Sequence, residues 1–262
     1  MSHPIRQRIP IAGNAYLVET TDDGSRTLVR RDDDLSFHSG CGAASECDHV
    51  YLRNGGFDGP PPFWPRSVLE VGFGTGLAML RTLDRVISAS RPLHYLALEN
   101  SALPVEVLRH LELGQGLVNT GLADQFLHRW AASADRLPPE PGPKQARSLH
   151  WHVDAERRVE VVWTDAREWL ATAAGDAFDT VYFDPFDPAS NPDLWSETVF
   201  GDVIRCLRSG GRLVTYCVKG DVRRRMAAVG FEVQRVAGPA DGKREVLIAI
   251  KRRSDASLDA GA

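Results

Sequence analysis

The period of the apolar positions changes along the chain and divides it into two parts. Residues 15–18 and 26–30 read as two short strands around Asp22-Asp23-Gly24-Ser25, which predicts a hairpin. Residues 46–52 predict one or two helical turns. Gly55-Gly56 and Pro60-Pro61-Pro62 predict a linker. From Ser67 onward, strand and helix patterns alternate. Short apolar runs at 68–73, 94–98, 159–163, 180–183 and 212–218 predict strands. Helical spacing at 77–89, 104–113, 122–132, 166–172, 198–207 and 222–229 predicts the helices around them. Gly210-Gly211 predicts the stop of the helix at 198–207, and residues 135–148, rich in proline, read as irregular. Residues 231–236 and 246–251 lie close enough in sequence to pair antiparallel at a sheet edge.

Repeated βα units imply a mostly parallel, Rossmann-like α/β sheet with helices on both faces. The expected organisation is an N-terminal β-containing extension and linker over 1–63, a main domain over 64–253, and a disordered tail over 254–262. A chain of 262 residues with 43% hydrophobic content can build that core. No apolar run approaches the roughly 18 residues that cross a bilayer. The first residues carry charges but no apolar signal core, so a cytoplasmic protein without a membrane partner is expected. Cys41, Cys47, Cys206 and Cys217 lack CxxC spacing and read as reduced thiols. Cys41, Cys47 and His49 have metal-ligating chemistry, but small buried or surface thiols are the simpler reading, so no metal is expected.

The net charge of −4 hides an asymmetry. Residues 154–200 hold eleven acids against three arginines, and residues 201–253 hold thirteen bases against five acids. Solvated faces are the simpler reading of the basic part, which can still carry phosphate contacts.

Chemistry concentrates after strands. Glu70-Val71-Gly72-Phe73-Gly74-Thr75-Gly76 lies between a predicted strand and a predicted helix, where glycines allow a tight turn and close approach of a ligand. Glu99 follows the next strand, where a carboxylate can accept hydrogen bonds from ribose hydroxyls. The GxGxG spacing is not the dinucleotide GxGxxG, and no Lys-Ser or Lys-Thr follows, which excludes a phosphate-cradling loop. The form E-x-G-x-G-x-G resembles the first motif of class I S-adenosylmethionine-dependent methyltransferases. That resemblance makes Glu70, Gly72, Phe73, Gly74, Thr75, Gly76 and Glu99 the cofactor site and S-adenosylmethionine the cofactor. Asp165, after the strand at 159–163, resembles the family's adenine-contacting acid and equally suits the N-cap of the following helix.

Asp184 follows the strand at 180–183 and opens a loop stiffened by Pro185, Pro188 and Pro192. An acid there can orient an amine nucleophile and take its proton. Asp184-Pro185-Phe186 to Asn191-Pro192-Asp193-Leu194-Trp195 resembles the D-[PG]-F-x-P-x-x-N-P-[DE]-[LM]-W pattern of MnmD-type tRNA wobble-uridine methyltransferases and of the methyltransferase half of MnmC. Thr21 to Leu28, Phe37-His38-Ser39, Gly42-Ala43, Glu46, His49-Val50, Val222-Arg223-Arg224 and Gly242-Lys243-Arg244-Glu245 resemble the same group. The resemblance implies a class I methyltransferase fold and methylation of 5-aminomethyl-2-thiouridine in the tRNA anticodon loop. It implies Asp184 as the acid beside the amine, and Phe186, Asn191 and Trp195 at the base. Arg223, Arg224, Lys243 and Arg244 would be phosphate contacts. MnmC continues into a flavin-dependent oxidase. This chain carries no second glycine-rich nucleotide motif, so no fused oxidase and an aminomethyl substrate made by other enzymes are expected. Two rival readings share these residues: transfer of a methyl or aminopropyl group to a small amine, and a non-catalytic binding module.

Overall fold

The computed structural model describes residues 6–134, 147–240 and 242–253. Two sheets build it. The first is antiparallel, in the order β1 (Arg8–Pro10), β2 (Tyr16–Thr20), β3 (Arg26–Arg30). The hairpin residues lie between β2 and β3 as expected. Asp23 organises that turn, accepting hydrogen bonds from Thr21 Oγ1, Ser25 N and Ser45 N. These bonds hold its carboxyl well below the usual range and tie the hairpin to α1 (Ala43–Glu46).

α1 runs directly into a π-helical segment, Cys47–Phe57. Gly55 and Gly56 therefore close a helix rather than open a linker. Gly55 lies against the Tyr182 ring, where an added Cβ would come within 2.8 Å, so the segment packs onto the main sheet. Val18, Leu28, Val50 and Tyr51 share one continuous core with Val68, Phe73, Leu80 and Tyr95.

The main sheet has eight strands. β4 (Ser67–Val71), β5 (Leu93–Glu99), β6 (Arg147–His152), β7 (Arg157–Trp163), β8 (Phe178–Phe183), β9 (Leu207–Thr215), β10 (Phe231–Ala237) and β11 (Glu245–Lys251) stand in the order β10-β11-β9-β8-β4-β5-β7-β6. The five central strands are parallel. β6 against β7, β11 against β9, and β10 against β11 are antiparallel. Every residue of β4 is buried, as a central parallel strand covered on both faces requires.

The remaining helices are α2 (Leu77–Ser88), α3 (Val105–Leu108), α4 (Leu122–Ala134), α5 (Ala166–Thr172), α6 (Glu197–Cys206) and α7 (Gly220–Ala228). α2 buries Met79, Leu80, Leu83 and Val86 against the first core. α6 buries Val199, Phe200 and Val203 on the other face of the sheet. This is the expected methyltransferase fold with a small N-terminal β extension.

Besides the linker at Gly55-Gly56, three local expectations fail. β6 was not expected, because its residues follow the proline-rich stretch; residues 135–146 of that stretch lie outside the described residues. Gly210 and Gly211 lie inside β9, where Gly210 adopts φ 76° and the pairing of β8 with β9 shifts register. The glycines make a bulge in a strand, not a helix stop. The helix expected over 104–113 is one α-turn followed by a 3-10 turn, Arg109–Leu111. The tail expected over 254–262 lies outside the described residues.

Candidate active site

The chain order reverses about β4: the crossover from β4 leads to β5 on one side, and β8 pairs on the other. Crevices at the carboxyl ends of such strands are where open α/β sheets bind ligands. Gly72 follows β4 and Asp184 follows β8, and the two strand ends touch. A Cβ on Gly72 would lie 2.7 Å from the Asp184 carbonyl oxygen, and Gly72 holds φ 88°, so glycine is the residue this contact admits. A cleft of about 700 Å³ opens here, lined by the glycine loop, Glu99, Asp165, Asp184, Phe186, Asn191, Tyr216 and Lys243.

Glu99 anchors one end. Its Oε2 accepts the Gly74 N–H, and its Oε1 accepts the N–H groups of Asn100 and Ser101, each at 2.9 Å. Burial raises its pKa while these amides oppose the shift. A carboxylate offers about four acceptor sites. Gly74 of the glycine loop takes one, and Asn100 and Ser101, which follow Glu99 in the chain, take two more.

Glu70 is 1% exposed and accepts the Tyr95 hydroxyl at 2.8 Å. Burial pushes its pKa well up, against the Tyr95 hydrogen bond. Thr75 Oγ1 is buried in the same loop without a partner. Asp165 realises the capping reading: it accepts the Arg167 N–H at 2.8 Å at the start of α5. Its carboxylate also pairs with the Arg167 guanidinium, which reaches Asp193 on the acid loop at 2.9 Å.

Asp184 anchors the other end. Burial pushes its carboxyl pKa well up, and the nearby Glu46 charge adds to that; Lys243 and the Tyr51 hydroxyl oppose it. Tyr51 is close enough to be felt, yet its buried hydroxyl makes no hydrogen bond of ordinary geometry. Besides the Arg167–Asp193 pair, the loop after Asp184 is held through its backbone carbonyls. Pro185 C=O accepts the Tyr216 hydroxyl at 2.9 Å, and Phe186 C=O accepts Trp195 Nε1 at 2.9 Å. The Trp195 carbonyl accepts Arg225 Nη1 at 2.9 Å.

The expected base-contacting residues separate. Phe186 and Asn191 line the cleft. Trp195 does not: it is fully buried, with its ring 5.0 Å from Phe183 and 6.2 Å from Tyr216. Its indole supports the loop from below, because a ring this large at the loop's end contributes most when packed on α6 and β8. The expected phosphate contacts also separate. Lys243 reaches the cleft, with its ammonium 3.9 Å from the Tyr216 ring centre. Arg223, Arg224 and Arg244 lie outside the cleft lining, the last two exposed.

The N-terminal extension supplies walls that the sequence reading did not place. Phe37 meets Phe186 edge to face at 5.2 Å and Tyr16 at 5.9 Å, and it lies over Gly74. Arg30 lies 5.5 Å from the Phe186 ring. His38 also lines the cleft, and burial lowers its pKa to about 4, so it is neutral at pH 7. Glu46 also lines the cleft. Several of these residues fall in the stretch from Phe37 to Glu46 that carried the N-terminal resemblance; nothing in their spacing pointed to a cleft. Cys41, Cys47 and His49 do not converge, and no group of three metal-ligating side chains occurs among the described residues. No helix among the described residues is long and apolar enough to cross a membrane.

Comparison with known proteins places this geometry. A family model described as S-adenosyl-L-methionine-dependent methyltransferase matches residues 136–252. The bifunctional tRNA 5-methylaminomethyl-2-thiouridine biosynthesis protein MnmC of Cupriavidus metallidurans is 31% identical over 247 residues, covering 87% of this chain and 33% of that protein. The Burkholderia multivorans protein of the same name is 34% identical over 238 residues, with the same coverage. The chain thus spans about a third of the length of these relatives. Among solved structures, MnmC2 from Aquifex aeolicus superposes with a TM-score of 0.70 at 19% identity, covering 94% of this chain and 73% of that one. Spermidine synthase from Thermotoga maritima superposes with a TM-score of 0.53 at 16% identity, covering 94% and 74%. These two share the fold. The chain is MnmC methyltransferase-domain-like, and over residues 136–252 it matches the S-adenosyl-L-methionine-dependent methyltransferase family, whose cofactor is S-adenosyl-L-methionine.

Proposed function

We propose that this protein methylates the amine of 5-aminomethyl-(2-thio)uridine at the tRNA wobble position, with Asp184 as the proton acceptor. The observation that carries the reading is one cleft with a braced glycine loop and Glu99 at one end and a buried acid, Asp184, at the other. The curated relatives named for tRNA 5-methylaminomethyl-2-thiouridine biosynthesis, matched over 87% of the chain, support the substrate class.

The residues present fit the cofactor. Among the described residues Thr75 Oγ1 is a buried polar atom without a partner, in the loop that would hold the cofactor, and Glu99 lines the same cleft with a carboxylate that would accept a ribose hydroxyl. Asp165 would share its carboxylate between Arg167 and the adenine amino group. When bound, S-adenosyl-L-methionine supplies an electrophilic methyl group for in-line displacement.

The chain's own part is positioning and proton transfer. The stiff loop fixes Asp184 beside the acceptor, and such orientation supplies much of the rate in a displacement. A carboxyl raised by burial is a better proton acceptor than a solvated aspartate. It takes one proton from the amine nitrogen, which frees the lone pair for attack. Phe186, Asn191 and Tyr216 would flank the extruded base, since flipped bases are held by stacking and edge contacts. Arg223, Arg224 and Arg244 would meet phosphates beyond the cleft.

The buried acids of the cleft also suit a small diamine. The two readings separate by acceptor: labelled methyl transfer to aminomethyl tRNA and none to putrescine or spermidine supports the tRNA reading, and the reverse overturns it. Glu99→Ala should weaken cofactor binding by roughly tenfold or more, the scale of a hydrogen bond to a charged group. Unchanged affinity in calorimetry would remove Glu99 from the cofactor site.

A further inference from the structure

Glu46 is a buried acid at the cleft for which the proposed reaction has no use so far. It comes from α1, before the main sheet begins, and is 8% exposed. It lines the cleft together with Asp184. One oxygen, Oε2, accepts the Ser39 N–H at 2.7 Å. The other oxygen has no hydrogen bond from any described residue, and no cation stands within 4.0 Å of the carboxylate among the described residues. Buried carboxylates are ordinarily paired, so a carboxylate that lines this cleft as well as a neighbouring cavity, with one oxygen unpaired among the described residues, calls for a donor.

The surrounding groups point to which donor. Glu46 acts electrostatically on Asp184, Tyr51, Cys47 and Tyr216, and Lys243 is the cation that both carboxyls feel. Lys243 is held instead over the Tyr216 ring. Two acids thus line one cleft with an aromatic wall, and among the described residues neither is salt-bridged to a cation. A primary amine carries N–H donors enough for both.

We propose that Glu46 is the second acceptor-binding acid of this cleft: its free oxygen takes an N–H hydrogen bond from the acceptor amine while Asp184 takes the proton. The inference rests on the methyltransferase reading above and deepens it. The step balances simply. One N–H bond breaks, its proton passes to an Asp184 oxygen, and Glu46 exchanges no proton. Glu46 is a positioning residue that selects a primary amine over an acceptor lacking two donors.

Glu46→Gln is the test, because glutamine can still accept the Ser39 N–H while losing the charge. With aminomethyl tRNA, the acceptor KM should rise about tenfold or more, the size of one charge-assisted hydrogen bond. Cofactor affinity should stay unchanged, and the acid limb of kcat/KM should move to lower pH once the like charge beside Asp184 is gone. An unchanged KM and pH profile would overturn the inference. If the wild-type protein does not methylate aminomethyl tRNA, the tRNA reading falls. The role of Glu46 is then decided by NMR titration with ethylamine. Weaker binding to Glu46→Gln than to wild type supports it, and equal binding overturns it. A thermal unfolding curve matching wild type confirms that the variant is folded.

Discussion

Asp184→Asn is expected to lose at least ~10²-fold in rate, the usual scale of general-base catalysis, while binding cofactor as well as the parent. Asparagine fills the same space and preserves the loop, but it cannot take a proton from the acceptor. The pH dependence follows from the direction of the shift. Burial and the Glu46 charge raise the Asp184 pKa, so the active carboxylate forms only above that raised value. Activity of the parent should fall as pH drops through it, and the variant should lose that limb. Stability should move the other way. A group whose folded pKa is raised favours the folded state at low pH and loses that contribution as pH rises through the folded pKa. Replacing it with a neutral amide should therefore hold or raise the unfolding temperature at pH 8. Undiminished turnover would remove Asp184 from the mechanism.

Trp195→Ala is expected to cost about 3–5 kcal/mol of stability, the range for truncating a fully buried aromatic residue. That lowers the midpoint of thermal unfolding by on the order of 10 °C for a chain of this size. The ring contacts Phe183, Phe200 and Tyr216, and the indole N–H holds the Phe186 carbonyl. Trp195→Phe separates the two roles. It keeps most of the packing, loses only the hydrogen bond at about 1 kcal/mol, and should slow turnover more than it lowers stability. An alanine variant with parental stability would contradict the packing role.

The strands and helices that position the site were legible because short continuous apolar runs alternate with stretches of 3.6-residue apolar period. α5 falls on the expected residues, 166–172, since Asp165 caps it and its apolar stripe is unbroken. The acids after strands were legible for the same reason. A carboxylate that follows an apolar run lies at the sheet's carboxyl edge, as Glu99 and Asp184 do. What failed was punctuation. Gly55 and Gly210 look like breaks, yet one seats a helix on Tyr182 and the other bulges a strand. Glycine marks unusual backbone, and only the fold decides whether chain direction changes there.

The walls of the site were the least legible part. Tyr16, Phe37 and Glu46 precede the sheet, while Tyr216 and Lys243 follow most of it. They meet only because the extension packs into the same core as β4 and α2. No spacing rule spans that distance. Trp195 shows the converse: it sits in the most informative motif of the sequence, and its work is to hold the loop rather than touch the cleft.

The central claim is methyl transfer to the wobble amine. It is tested most directly by incubating the protein and labelled S-adenosyl-L-methionine with tRNA that carries 5-aminomethyl-2-thiouridine, then analysing the nucleosides by mass spectrometry. Conversion of that nucleoside to its 5-methylaminomethyl form, with no other nucleoside labelled, is the predicted result. Label elsewhere in the tRNA, or none, would contradict it.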